Sequence, residues 1–139
     1  MKTEFGTLVA LVAHRWRVKL DERLRHLDLN QTRWRILLQL HRVGPLSQTA
    51  LAEQIGIEGP TLVRILDNME RRDLVVRTVC ADDRRVKFVA ITETAKPLIT
   101  EIKQIAETLS HELLAEIPDP DMDVTTNALQ TIANHLEEN

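Results

Sequence analysis

Most side-chain sets in this chain that resemble catalytic or metal-binding groups fail on spacing. His111-Glu112 begins the helical pattern of a zinc protease, but Ala115 stands where the second histidine belongs. Asp119, Asp121 and Asp123 imitate the start of a calcium loop, yet Val124 replaces its glycine and Gln130 its bidentate glutamate. No Ser, Cys or Lys lies in a nucleophile motif, and no glycine loop is built to cradle a phosphate. The chemistry that remains is recognition. Thr61, Arg64, Ile65, Asn68 and Arg72 fall on one side of a helical projection that begins near Pro60, away from Leu62, Leu66 and Met69. Arg and Asn can bond base edges in pairs, Thr can take a phosphate or a base, and an aliphatic side chain suits a thymine methyl. Further on, Arg84, Arg85 and Lys87 cluster where a basic arm would meet phosphates or a minor groove.

The surrounding text says which elements must hold these residues. Ser47 is a helix N-cap with Ala50, Leu51 and Ile55 turned inward, and Gly56 supplies a turn. Pro60 then suits the first turn of a second helix, where its missing N–H costs nothing. Leu74 to Cys80 and Val86 to Ile91 are β-branched runs joined by Ala81-Asp82-Asp83-Arg84-Arg85, which predicts a hairpin. Helix, turn, helix and basic hairpin in succession is the arrangement that lays its second helix in a DNA major groove.

Around this centre the pattern predicts more helix. Leu8, Val12, Trp16, Leu20, Leu24 and Leu27 form a stripe that predicts one helix over residues 7 to 27. Asn30 or Thr32 caps another that runs to about Arg42, with Trp34, Leu37, Leu38 and His41 as inward positions, and Gly44-Pro45 ends it. Thr92 caps a helix striped by Leu98, Ile102, Ile105, Leu109 and Leu113. Pro118 and Pro120 break the chain before a last helix carrying Val124, Ala128, Ile132 and Leu136. The expected fold class is therefore mainly α with a small β-hairpin wing. Residues 31–92 make a winged helix-turn-helix unit, and residues 1–30 with 93–139 a helical region. A core of this size cannot readily bury such long amphipathic helices alone, so a homodimer is expected.

Composition fits that reading. The chain has 139 residues and a net charge of −3, which looks wrong for a nucleic-acid binder until it is divided. Residues 33–87 carry a balance of +3 and residues 93–139 one of −8. Affinity for double-stranded DNA depends on local cation density and counterion release rather than on whole-chain charge. The longest uncharged apolar run, Leu8 to Ala13, is too short to span a bilayer, so no membrane partner is expected. The single cysteine fits a reducing compartment, and a cytoplasmic location is the expectation. No cofactor and no metal are expected.

Three segments carry a resemblance: LNQTRWRILLQLH at 29–41, LAEQIGIEGPTLVRILDNME at 51–70 and CADDRRVKFVAITETAKPLI at 80–99. They resemble the MarR family of bacterial winged-helix transcription factors, and within it the SlyA-like branch. The resemblance implies an obligate homodimer whose N- and C-terminal helices intertwine. It implies recognition helices in successive major grooves of a palindromic site and wings over the flanking minor grooves. On the matching positions, Arg85 is implied as the wing-tip arginine, with Asp83 orienting its guanidinium. Pro60, Thr61 and Arg64 are implied at the DNA-facing end of the recognition helix. The family further implies control by small aromatic carboxylates, here placed at Thr32, Trp34 and Arg15 or Arg17. Two departures alter the expected operator: Gly59 stands where a larger polar residue is usual, and Ile65 where a polar one is. Activator and repressor roles are not distinguished.

Two rival readings differ in class. One is a ligand or redox sensor, using Cys80, whose winged domain mainly binds a protein partner; the other is an enzyme built on a His, Cys80 or the Asp cluster. Steep loss of affinity with salt marks the DNA binder against the first. Turnover that survives Arg85→Ala marks the second.

Overall fold

The computed structural model describes residues 2–138. Its elements are α1 (Lys2–Leu24), a 3-10 turn (Arg25–Leu27), α2 (Gln31–Val43), β1 (Leu46–Ser47), α3 (Gln48–Ile55), α4 (Gly59–Arg71), β2 (Val75–Val79), β3 (Lys87–Ile91), α5 (Ala95–Leu114) and α6 (Asp119–Glu138). The chain divides into two compact units, one up to Ala106 and one from Glu107 onward, with the break inside α5.

Local chemistry explains most boundaries in the first unit. The Asn30 carboxamide accepts from the Arg33 N–H (3.0 Å) at the head of α2, and the Ser47 hydroxyl accepts from the Ala50 N–H (3.1 Å) at the head of α3. Gly56, at φ +81°, ends α3 in the left-handed conformation that glycine adopts without strain. At the end of α4 the Leu74 N–H donates to the Met69 carbonyl (2.9 Å) and the Asp73 N–H to the Glu70 carbonyl (3.0 Å). This is the Schellman pattern, and it is accompanied by burial of both Leu74 and Met69. The left-handed position is taken by Asp73 (φ +57°) instead of a glycine. The Asp73 carboxylate accepts from the Thr94 hydroxyl (2.7 Å), and its carbonyl accepts from the Thr92 hydroxyl (2.6 Å).

The hairpin is part of a three-stranded antiparallel sheet in the order β1-β3-β2. Two-residue β1 pairs Leu46 with Val89 and Ser47 with Phe88, and was not expected. A strand that short has no period to read and is defined by its partner. Two other differences concern helix phase and length. In α2 the buried residues are Trp34, Ile36, Leu37 and Leu40, whereas His41 is exposed, 3.4 Å from the Lys103 ammonium. The predicted helix over 7 to 27 instead begins at Lys2 and gives way after Leu24 to the 3-10 turn, closed by the Asp28 N–H on the Arg25 carbonyl (3.0 Å).

Core and surface are distributed unevenly. Leu20, Leu24, Ile36, Leu37, Leu40, Leu51, Leu62, Leu66, Met69 and Val89 are buried around the helix-turn-helix. On α1, Phe5, Leu8 and Val12 are exposed, Leu8 at 56 %. Within the second unit, Val124, Ile132 and Leu136 of α6 are also open, Leu136 at 73 %. None of the described helices is long and apolar enough to cross a membrane.

Leu66 is fully enclosed at the centre of the face that seats α4. Leu66→Ala should cost about 2–5 kcal/mol, as large-to-small core changes do. Urea unfolding at fixed protein concentration measures it, and a loss well under 1 kcal/mol would show that α4 is not seated as described.

Candidate nucleic-acid interface

The helix-turn-helix presents α4 with one face committed to the core. Leu62, Leu66 and Met69 are buried, Pro60 and Arg64 are exposed, and Thr61 and Ile65 are half-buried. The sequence face is therefore retained over the first two turns. It changes towards the C-terminal end. Asn68 is half-buried, and its side-chain oxygen is enclosed without a hydrogen-bond partner. Arg72 is occupied elsewhere, donating to the Asp28 carbonyl (2.9 Å). The end of α4 packs on β2 and on the segment after α1, which leaves its groove-side residues less free than the projection implied.

Arg77, absent from the sequence expectations, makes the main polar tie between α4 and the sheet. It pairs with Val89 in the register, so its Cβ lies on the covered side of the sheet beside a buried strand residue. Its side chain is 13 % exposed. The guanidinium bonds Asp67 and the Glu70 carboxylate (3.1 Å), and the Arg77 N–H donates to Glu70 as well (3.2 Å). Hydrogen bonding from Arg77 holds the Glu70 carboxyl below its ordinary value, against a smaller opposing effect of burial. The same bond from Glu70 raises Arg77. Asp67 is thus a partner of Arg77. An arginine at an inward strand position is the signal that points to such a partner, because a guanidinium there requires an anion.

The wing tip is held by its own short bonds. The Cys80 N–H donates to the Val86 carbonyl (2.8 Å) and the Val86 N–H to the Asp83 carbonyl (3.0 Å). The Asp83 carboxylate accepts from the Arg85 backbone N–H (3.0 Å), from Nε (3.1 Å) and from Nη2 (3.2 Å). These bonds keep the Asp83 carboxyl below the usual carboxylate range. The Arg85 side chain nevertheless stands 91 % exposed. Arg84 and Lys87 are also exposed, and Cys80 is half-buried. The structure therefore brings Asp83 and Arg85 together and leaves three cations open along the tip.

The residues expected around an aromatic carboxylate are placed differently. Trp34 is enclosed in the core, and its indole N–H donates to the Asp21 carboxylate (3.2 Å). Thr32 is half-buried; Arg15 and Arg17 are exposed on α1. Arg17 lies near Arg35, whose pKa is lowered first by burial and then by the Arg17 charge. Arg35 donates to the Ile55 carbonyl (3.1 Å) at the end of α3. A cavity of about 230 Å³ at this corner is lined by Asp21, Arg25, Asp28, Leu29, Asn30 and Arg33, a set that includes none of the four.

A helix-turn-helix with an open recognition face, joined to a three-stranded sheet with a basic tip, defines a winged helix-turn-helix protein. The model of the MarR family matches residues 29–87. Over 97 % of this chain and 99 % of the other, the fold is similar to transcriptional regulator PA3341, with 40 % identity and a TM-score of 0.86. A MarR mutant from E. coli complexed with operator DNA is similar at 20 % identity and TM-score 0.77, covering 91 % of both chains. The S. aureus MepR–DNA complex is similar at 22 % identity and TM-score 0.78, covering 94 % of this chain and 97 % of that one. The chain belongs to the MarR family of transcriptional regulators.

The Arg77 tie has a defined pH signature. Glu70 is depressed in the folded state, so its contribution is present above its ordinary value near 4.5 and is lost as pH falls through the lower folded value. Arg77→Ala should destabilise by about 1–2 kcal/mol at neutral pH. It should also flatten the fall in stability below about pH 4.5, measured by thermal unfolding from pH 7 to 3. An unchanged acid slope would remove the tie from the account.

Proposed function

We propose that the protein is a sequence-specific reader of double-stranded DNA that acts as a homodimer on palindromic, A·T-rich sites. The observation that carries this is the Asp83–Arg85 clasp. Three hydrogen bonds to one carboxylate orient an arginine that is almost wholly open to solvent at the tip of a hairpin. A preorganised, uncovered guanidinium suits a narrow and electronegative minor groove. The DNA complexes formed by E. coli MarR and S. aureus MepR support the same reading.

In this reading Pro60, Thr61, Arg64 and Ile65 enter the major groove, and Arg64 makes the paired contact to a guanine. Arg84, Arg85 and Lys87 follow the flanking groove and its phosphates. Asn68 contributes little, because its carboxamide oxygen is already enclosed. Residues 31–92 are the DNA-binding unit; residues 1–30 and 93–139 form the dimerisation region. The exposed apolar residues of α1, and separately those of α6, support the second assignment. The SlyA-like affiliation rests on the text at 51–70 and 80–99. The effector is a small aromatic carboxylate, bonded by Thr32 and by Arg15 or Arg17. The regulator works in the cytoplasm, where its DNA is.

Selection from a randomised duplex pool at two salt concentrations tests the reading. A palindrome with half-sites about one helical turn, roughly 34 Å, apart is the expected result. Arg64→Ala should cost about 1–3 kcal/mol on that site and relax one base position. Arg85→Ala should weaken binding more on A·T-rich than on G·C-rich flanks. Retention without an enriched motif would favour a protein partner for the wing. Light scattering should give twice the 15.9 kDa chain mass, and a 15.9 kDa species alone at micromolar concentration would exclude the dimer.

A further inference from the structure

The head of α4 carries two residues whose side-chain positions make no contact within the fold, although the Glu58 carbonyl accepts from the Leu62 N–H (3.0 Å). Glu58 occupies the N-cap with extended backbone (φ −73°, ψ 149°), and its side chain makes no capping bond. Short Ser, Thr, Asp and Asn side chains serve that position because their oxygen reaches back to the helix N–H groups. Ser47 and Asn30 do so in this chain. Glu58 is exposed, and among the described residues its carboxylate has no ion-pair or hydrogen-bond partner.

Gly59 follows. Its backbone is not in the left-handed region, where only Gly44 and Gly56 of the glycines stand. A Cβ built on Gly59 would meet nothing within 4 Å. The fold therefore needs neither the flexibility nor the smallness of this glycine, which weakens a helix relative to alanine. Gly6 of α1 is equally unconfined, but Gly59 lies at the head of the helix read here as entering DNA, where the absence of a side chain allows close approach of a second molecule.

Building on the DNA-reading function proposed above, we infer that Glu58 is a base-reading residue and Gly59 the clearance that lets it reach. A free carboxylate at the tip of a helix entering DNA is repelled by every phosphate. That repulsion is offset only where a base presents a hydrogen-bond donor. In the major groove the donor matched to a glutamate is the N4 amine of cytosine. Glu58 thus lowers affinity for DNA in general and restores it at one position, which is a device for discrimination. Six residues separate Glu58 from Arg64, about 9 Å along a helix at roughly 1.5 Å per residue. Where the head of α4 runs along the groove, that rise spans about two to three base pairs, at roughly 3.4 Å per pair.

The experiment is pool selection with the full-length wild type, Glu58→Ala, Glu58→Gln and Gly59→Ala, each with its thermal unfolding midpoint. The wild type should enrich cytosine two or three positions from the guanine column that Arg64→Ala flattens. Glu58→Ala should reduce preference for cytosine in that column about tenfold, leave the other columns intact and tighten binding to a scrambled duplex. Glu58→Gln should shift the column towards adenine, whose N6 and N7 suit a carboxamide. Gly59→Ala should keep or raise the midpoint yet weaken binding to the wild-type site. Every column unchanged in Glu58→Ala overturns the inference, and a lowered midpoint with unchanged columns assigns Glu58 to helix stability instead. Undiminished binding by Gly59→Ala overturns the clearance. A wild type that enriches no motif defeats the DNA-reading function itself, and so is distinct from failure of the Glu58 assignment alone.

Discussion

The recognition helix and the wing act as one body because Arg77 reaches from β2 to two carboxylates on α4. A helix seated only by Leu62, Leu66 and Met69 would keep its depth but could slide or roll on an apolar surface. Hydrogen bonds from one planar guanidinium to Asp67 and Glu70 remove that freedom, since both acceptors are fixed one turn apart on the helix. The strand end of the tie is equally constrained by the ladder that pairs Arg77 with Val89. The tie thus fixes α4 against the strand that leads into the hairpin.

What could be read from the residues follows the range of the forces involved. Caps at Asn30, Ser47 and Gly56, and the Thr92 hydroxyl that accepts from the Ala95 N–H, depend on neighbours within three or four positions, so the text reveals them. The heptad-like burial of Leu62, Leu66 and Met69 is periodic and equally readable. Strand β1, the inward turn of Ile36 and Leu40, and the Trp34–Asp21 bond all depend on partners distant in sequence. No local pattern encodes them. The site divides in the same way. Arg64 and the hairpin cations were accessible to periodicity and turn chemistry, whereas the pairing of Asp83 with Arg85 came through the resemblance. Arg77 was missed because its role exists only once α4 lies against β2, and the enclosure of the Asn68 oxygen is hidden from a projection, which shows direction without showing what stands beside the side chain.

The charge distribution completes the picture. Positive balance sits with the elements that carry the open cations, and the −8 of the last third sits with α5, which buries Ile99, Ile102 and Leu109, and with α6, whose Val124, Ile132 and Leu136 are exposed. Acidic helices repel phosphates, so the charge that can attract a polyanion is confined to one part of the chain.

Asp73 bears a cost that shapes how this chain can vary. It holds a left-handed backbone that most side chains resist, at the carboxyl end of a helix whose dipole disfavours an anion. Bonds from the Thr92 and Thr94 hydroxyls, one to its carbonyl and one to its carboxylate, offset that cost and join the end of α4 to the start of α5. Glycine would relieve the strain but surrender the carboxylate bond, asparagine would keep a weaker version of both, and a β-branched residue would forfeit the turn. Position 73 is thus narrowly constrained although it lies away from the exposed cations, with asparagine the substitution it admits most readily.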